Sequence, residues 1–402
     1  MNKILFISHD ASRTGAPINL LSIIHNLNAY NKYLIDILLI RGGDLEKNFI
    51  QLANNYFVLD KKKAIHLFKK ILTKFLNFNN SFVFIKKICT WILSVIKRYQ
   101  YSGIFKKLRK QNYSLIYANT IVTIEIASHL KKILSVPLIL HVHELEYSID
   151  SFIGHDYFFS HIPLFDHFIA ASESVKKNLV VNYRVNENKI SIACPFSFNL
   201  LHPQKGKEDI LNELNIGKNS FIVGASGNGF WIKGCDIFLS LAYSFFKKYP
   251  ESDCVFIWLG KIFESDCRNI KYDLENTGLL GKVKFIGERS NPIDYYNIFD
   301  VFTLTSRVDS FPLVCLENAY LAKPLLCFAN SGYMPIFVKE DAGFVVPYLD
   351  VESMAEKIHL LYSDPILRTK LGTNARNKYL DKCFIESSMN QILHCIDIFI
   401  PE

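Results

Sequence analysis

This 402-residue sequence has no C-x-x-C pair, and its nine cysteines are odd in number and scattered. That spacing excludes a disulfide framework and a zinc-ribbon site, and it predicts a protein of the reducing cytoplasm. No uninterrupted apolar run approaches the roughly 18 residues that a membrane-crossing helix needs. The opening MNKILFISHD carries too short an apolar run for a signal peptide, and no A-x-A site follows, so it reads as a first buried strand. Low-complexity tracts and fixed-period repeats are missing too, which excludes linker-like and solenoid architectures. Acidic residues are absent from 61–110, where fourteen Lys or Arg occur; the net charge of +8 therefore hides a mildly acidic protein of −6 with one strongly basic insert.

What is present is material for large cores: hydrophobic residues make up 50% of the chain. The length fits two domains of about 200 residues each. Apolar strand patterns at 3–8, 33–40, 56–59, 114–118, 137–141 and 168–170 alternate with helical patterns, among them Ile18, Leu21, Ile24 and Leu27, and Ser172 reads as a helix N-cap. Residues 194–207, with Pro195 and Pro203, read as a linker. The rhythm restarts with strands at 221–224, 254–259, 283–286, 301–304, 325–328 and 344–346, and closing helices at 354–361 and 386–399. Strand–helix alternation implies parallel sheets covered on both faces. Two doubly wound domains facing a cleft are expected, with ligands beyond the carboxyl ends of the strands.

The most informative stretch is DSFPLVCLENAYLAKPLL, 309–326. It reads as loop, helix and strand. Pro312 suits the first turn of a helix, where its missing N–H costs nothing. The amides of Leu313 and Val314 then head the helix, a natural seat for a phosphate. Asp309 precedes that seat, and Glu317 follows about one and a half turns later.

These residues resemble the E-x7-E signature of retaining GT-B glycosyltransferases of family 4, with Asp309 in place of the first Glu. The resemblance covers nearly the whole chain and is strongest over 224–346. It implies that Asp309 meets hydroxyls of a donor sugar and that Glu317 holds the nucleotide ribose. It further implies a nucleotide-diphosphate sugar as donor substrate, with no cofactor and no metal.

Other motifs are consistent with that resemblance. GASGNGFWIKG, 224–234, follows a strand and ends in Lys233-Gly234 before a helix. By resemblance Lys233 sits on the donor diphosphate; a tight turn with a surface lysine is the plain alternative. The family's preceding arginine is replaced by Gly227 or Asn228, and Arg307 is a candidate for the missing charge. Gly15 and Ala16 resemble the glycine loop that borders the diphosphate, although a simple strand-to-helix turn explains them too. His141 and His143 lie at i and i+2 on one face if their strand continues. No third metal ligand accompanies them, and His143 matches the family histidine beside the donor sugar, whereas His141 reads as a core residue. Gly287 ends the strand whose turn reads the base in relatives. At 331–335, Pro335 takes the place of a family acid, before a helix at 336–340.

Within the basic insert, Phe68, Ile71, Leu72 and Phe75 share one helical face, and Ile85, Ile88, Ile92, Val95, Ile96 and Tyr99 share another, each opposed by lysines. Such helices lie on an anionic membrane surface or pack inward with a solvated charged face. No nucleic-acid-binding motif is recognisable, and no such partner is expected.

The expected organisation is an acceptor-side domain 1–200 with insert 61–110, a donor-binding domain 201–380, and a terminal helix in 381–402 that packs back on the first domain. The expected activity is that of a retaining hexosyltransferase of the cytoplasm or its membrane face. It takes a nucleotide-sugar donor and a saccharide or lipid-linked acceptor, in bacterial surface polysaccharide or lipopolysaccharide assembly. The rivals are a nucleotide-sugar epimerase of similar fold and a non-catalytic nucleotide-sugar-binding protein.

Overall fold

The computed structural model describes residues 1–60, 101–196, 202–381 and 384–400. Two parallel sheets organise them. The first contains β1 (Asn2–Ser8), β2 (Tyr33–Arg41), β3 (Asn55–Asp60), β4 (Leu115–Asn119), β5 (Leu138–Val142), β6 (His167–Ala170) and β7 (Ile190–Ile192), in the order β3-β2-β1-β4-β5-β6-β7. The second contains β8 (Phe221–Ser226), β9 (Cys254–Leu259), β10 (Val283–Gly287), β11 (Val301–Leu304), β12 (Leu325–Phe328) and β13 (Gly343–Val346), in the order β10-β9-β8-β11-β12-β13.

Side-chain alternation explains why both faces must be covered. Along β1, Leu5 and Ile7 enter one core, while Ile4 and Phe6 enter the other. Along β8, Ile222 faces one core, and Phe221, Val223 and Ala225 face the opposite one. A strand apolar on both sides is stable only between two helical layers. The helix Phe384–Phe399 returns to the first domain, where Met389, Ile392, Cys395 and Ile396 join the core under β1 and β2.

Local differences from the sequence reading have simple causes. Strand β7 is only Ile-Ser-Ile, too short to show a period. Pro312 is the N-cap rather than a residue of the first turn, with φ −73° and ψ 107°, and the helix begins at Leu313. The helix expected at 336–340 spans Met334–Val338, with Pro335 in its opening turn. Ser172 caps its helix as expected, its Oγ accepting from the Val175 amide at 3.3 Å. The amphipathic stretches 68–75 and 85–99 of the basic insert lie outside the described residues, as does part of the expected linker, 197–201. The end of the insert, 101–109, is helical and buries Tyr101, Phe105 and Leu108 in the first domain. Among the described residues, no helix is long and apolar enough to cross a membrane.

Candidate functional site

In a doubly wound sheet the ligand crevice opens where strand order reverses, because neighbouring crossovers run to opposite sides there. Strand β1 pairs with β2 on one side and β4 on the other, and β8 pairs with β9 and β11. The carboxyl ends of these strands hold most of the residues singled out from the sequence.

In the first domain, the loop after β1 leads into the helix Gly15–Ala29. No side chain caps that helix, and no acid lies in its first turn. The amides of Gly15 and Ala16 therefore keep an uncompensated positive end. A methyl group at Gly15 would meet no atom within 4 Å, so this backbone borders open space. Strand β4 ends at Asn119, whose Nδ2 donates to the Ala16 carbonyl at 3.1 Å. The Asn119 Oδ1 lies 2.8 Å from His143 Nε2, just beyond β5. His141 and His143 do share a face, with ring centroids 4.1 Å apart. His141 is fully buried and pairs with the Tyr117 hydroxyl at 2.7 Å. Burial, reinforced by nearby His9, holds the His143 pKa down at about 3. Burial also pushes Glu144 up to about 7, although its Oε2 accepts from the His143 amide at 2.9 Å. Thr120, directly after β4, stands at φ +74°, an uncommon conformation for a β-branched residue. Its buried hydroxyl has no hydrogen-bond partner among the described residues.

In the second domain, the glycine-rich loop after β8 is held against the loop after β9. The Gly227 amide donates to Leu259 O at 2.9 Å, Gly229 donates to Lys261 O at 2.8 Å, and Trp258 Nε1 donates to Gly227 O at 2.9 Å. Gly260 closes on this ladder at φ +142°; a Cβ there would lie 2.1 Å from Gly227 O. The turn Trp231–Lys233 follows, and Lys233 Nζ reaches Asp309 Oδ2 at 2.6 Å. Asp309 is tied to the loop after β12 through its amide, which donates to Ser331 O at 2.7 Å.

Helix Leu313–Tyr320 has neither a side-chain cap nor an acid in its first turn. Leu313 and Val314 head it, and its first backbone bond runs from the Cys315 amide to Pro312 O at 3.1 Å. Glu317 lies further along. Burial pushes its pKa up to about 7, and its carboxyl has no ion pair among the described residues. Gly287, at φ +72°, ends the edge strand β10, and its carbonyl accepts from the Gly260 amide at 3.0 Å.

Arg307 behaves differently from Lys233. Its guanidinium grips Asp236 through two contacts, at 3.0 and 2.7 Å, and donates to Trp231 O at 2.6 Å. It also stacks 4.3 Å from the centre of the Trp231 ring. That indole, 55% exposed, meets Tyr147 of the first domain at 5.3 Å between ring centres, and Arg13 Nη1 donates across to Ser290 O at 2.9 Å. Asn119, Asp236 and Tyr147 escaped the sequence reading, and Trp231 was passed over within the stretch 224–234. Asn119, Asp236 and Tyr147 belong to no spaced motif, and only the topology brings them to the strand ends.

Chemically, a helix N-terminus with no acid in its first turn suits an anion, an ammonium suits a phosphate oxygen, and carboxylates suit hydroxyl groups.

Comparison with known proteins gives a consistent picture. Residues 206–378 match the family described as glycosyl transferases group 1. The chain is 25% identical over 240 residues to the capsular polysaccharide biosynthesis glycosyltransferase CapM of Staphylococcus aureus, covering 58% of this chain and 62% of that one. It is 25% identical over 215 residues to the N,N'-diacetylbacillosaminyl-diphospho-undecaprenol alpha-1,3-N-acetylgalactosaminyltransferase of Campylobacter jejuni, covering 52% of this chain and 54% of that one. The chain thus spans 54% to 62% of the length of these curated relatives. The crystal structure of Anabaena HepE in complex with UDP and glucose superposes with a TM-score of 0.79 at 17% identity, covering 99% of this chain and 100% of that one. This last likeness is one of fold: two Rossmann-like domains in the GT-B arrangement.

Proposed function

We propose that this chain, whose residues 206–378 carry a glycosyl transferases group 1 domain, moves a hexosyl group from a nucleotide-diphosphate donor to an acceptor hydroxyl with retention of configuration. One observation carries the reading: the Lys233–Asp309 pair, 2.6 Å apart, stands before the uncapped helix Leu313–Tyr320 that also bears Glu317. In this reading Lys233 and the amides of Gly15, Leu313 and Val314 offset charge that grows on the diphosphate as the glycosidic bond breaks. Asp309 orients the sugar, and Glu317 accepts hydrogen bonds from the ribose. The base would be met at Gly287. The acceptor hydroxyl enters from the first-domain loops, and closure of the cleft keeps water from the donor.

The test is a screen of nucleotide sugars by thermal shift, followed by an assay of diphosphate release. Release that requires an acceptor supports transfer. Conversion of the donor sugar without release would indicate an epimerase, and donor binding without turnover a binding protein.

The finer assignment, surface polysaccharide assembly on a lipid-linked acceptor, rests on two supports. The relatives are named for capsular polysaccharide biosynthesis and for a diphospho-undecaprenol substrate. The segment 61–110 also has fourteen basic and no acidic residues. Each cation near an anionic leaflet contributes about 1 kcal/mol. Flotation with anionic and neutral liposomes checks this, and equal recovery with both would rule out the electrostatic attachment.

A further inference from the structure

We propose that Asn119 is a positioning residue: it fixes the tautomer of His143 so that the ring meets substrate as a hydrogen-bond acceptor through Nδ1. The inference rests on the transfer reading above for its substrate, and on hydrogen-bond geometry around a buried, neutral ring for its tautomer.

The Ala16 carbonyl can only accept a hydrogen bond, so the Asn119 atom 3.1 Å from it must be the amide nitrogen. That assignment turns the amide oxygen toward His143 Nε2 at 2.8 Å. An amide oxygen can only accept, so Nε2 must carry the ring proton. Asn119 is fully buried, so water cannot substitute for either partner without a cost.

The other groups around the ring do not reverse this arrangement. His141 lies tilted beside it from β5, His9 approaches from the end of β1, and Glu144 receives the His143 backbone amide rather than the ring. Burial keeps the ring neutral. Its single proton is therefore engaged by Asn119, and Nδ1 keeps a lone pair with no partner among the described residues.

A lone pair selects its ligand. It repels a phosphate oxygen or a carboxylate and attracts a hydroxyl. His143 is thus matched to a sugar hydroxyl, and the diphosphate is left to Lys233 and the helix N-termini. Because the same Asn119 amide holds the Ala16 carbonyl, it also sets the spacing between the glycine loop and the ring.

The test uses the full chain labelled with ¹⁵N-histidine. Long-range ¹H–¹⁵N spectra report each ring's tautomer, and the His143 signals are assigned by their loss in His143→Gln. The expected result is the Nε2–H form from pH 6 to 8 in the wild type. Asn119→Ala should give a mixture of tautomers and lower kcat about 10²-fold, the scale of a misplaced reacting group, with much less change in KM for the donor. Asn119→Asp should let His143 become protonated and add an acidic limb to the pH profile of kcat. An Nδ1–H ring in the wild type, or an unchanged tautomer in Asn119→Ala, would overturn the proposal. An Nδ1–H ring in the wild type overturns the proposal even if a variant fails to fold. An Nε2–H ring in a protein without transfer activity would overturn the functional reading and leave the positioning role standing.

Discussion

Lys233 and Asp309 form a 2.6 Å ion pair although 76 residues separate them, and the carboxyl is 8% exposed against 30% for the ammonium. Under the proposed function, a diphosphate would compete with this buried carboxylate for the same ammonium. Lys233→Met should leave Asp309 without its counter-charge. A loss of about 1–3 kcal/mol in stability is expected from one unsatisfied buried group, and a fall of about 10²–10³ in kcat from one missing electrostatic stabiliser. Adding Asp309→Asn should restore most of the stability and none of the activity. Urea titration and steady-state kinetics on the single and double variants check this.

How far this site was legible depends on the kind of signal each residue leaves. Lys233, Asp309 and Glu317 could be singled out because short local patterns carry them: a glycine-rich turn before a helix, and two acids eight apart around a helix start. The doubly wound class followed from strand–helix alternation. Asn119 left no local trace, because its place beside Ala16 and His143 arises from the β1–β4 and β4–β5 pairings. Arg307 was legible as a cation near the site, but its engagement with Asp236 depends on tertiary packing between the turn after β8 and the loop after β11.

Glu317 should make both stability and nucleotide binding depend on pH. Its folded pKa is raised by burial to about 7 from an ordinary 4.5. Between those values the folded state binds the extra proton, so stability falls as pH rises through that window and levels off above it. At about 1.4 kcal/mol per pH unit, the whole effect over these 2.5 units is at most about 3.5 kcal/mol. Glu317→Gln should match the wild type below pH 4.5 and exceed its stability at pH 8. Ribose hydroxyls that donate to the ionised carboxylate lower its pKa, so nucleotide binding should release protons near pH 6.5. Thermal melts across pH and calorimetry in two buffers of different ionisation enthalpy read these effects. A flat stability difference would contradict the burial argument.

Two glycines should respond in opposite ways to alanine. Gly332 sits at φ +123°, and a Cβ there would lie 1.8 Å from the Asp309 carbonyl oxygen. Gly332→Ala must move the Asp309 backbone, with a stability loss of about 1–3 kcal/mol and a parallel loss of activity. Gly15 faces open space, so Gly15→Ala should melt with the wild type. If the diphosphate approaches that backbone, donor affinity should nevertheless fall, because the added methyl occupies the approach. Melting curves paired with donor titration separate the two outcomes; a normal donor affinity in Gly15→Ala would remove the glycine loop from the site.

Arg307 offers the sharpest distinction between a ligand-binding cation and a scaffold. Its planar guanidinium is engaged on one edge by both oxygens of Asp236 and on one face by Trp231. If that engagement is its role, Arg307→Ala and Asp236→Ala should each free the indole, and the double variant should add little to either. The individual cost should be about 1 kcal/mol, in line with a partly exposed bidentate pair joined to a cation–π contact. Tryptophan fluorescence should report the change, with Trp231→Phe identifying the contribution of that ring. Donor affinity should change far less than in Lys233→Met. If Arg307→Ala instead weakens donor binding as severely as Lys233→Met while Asp236→Ala does not, the guanidinium leaves Asp236 for the diphosphate when the donor arrives. The pair would then be a holding position that the donor displaces.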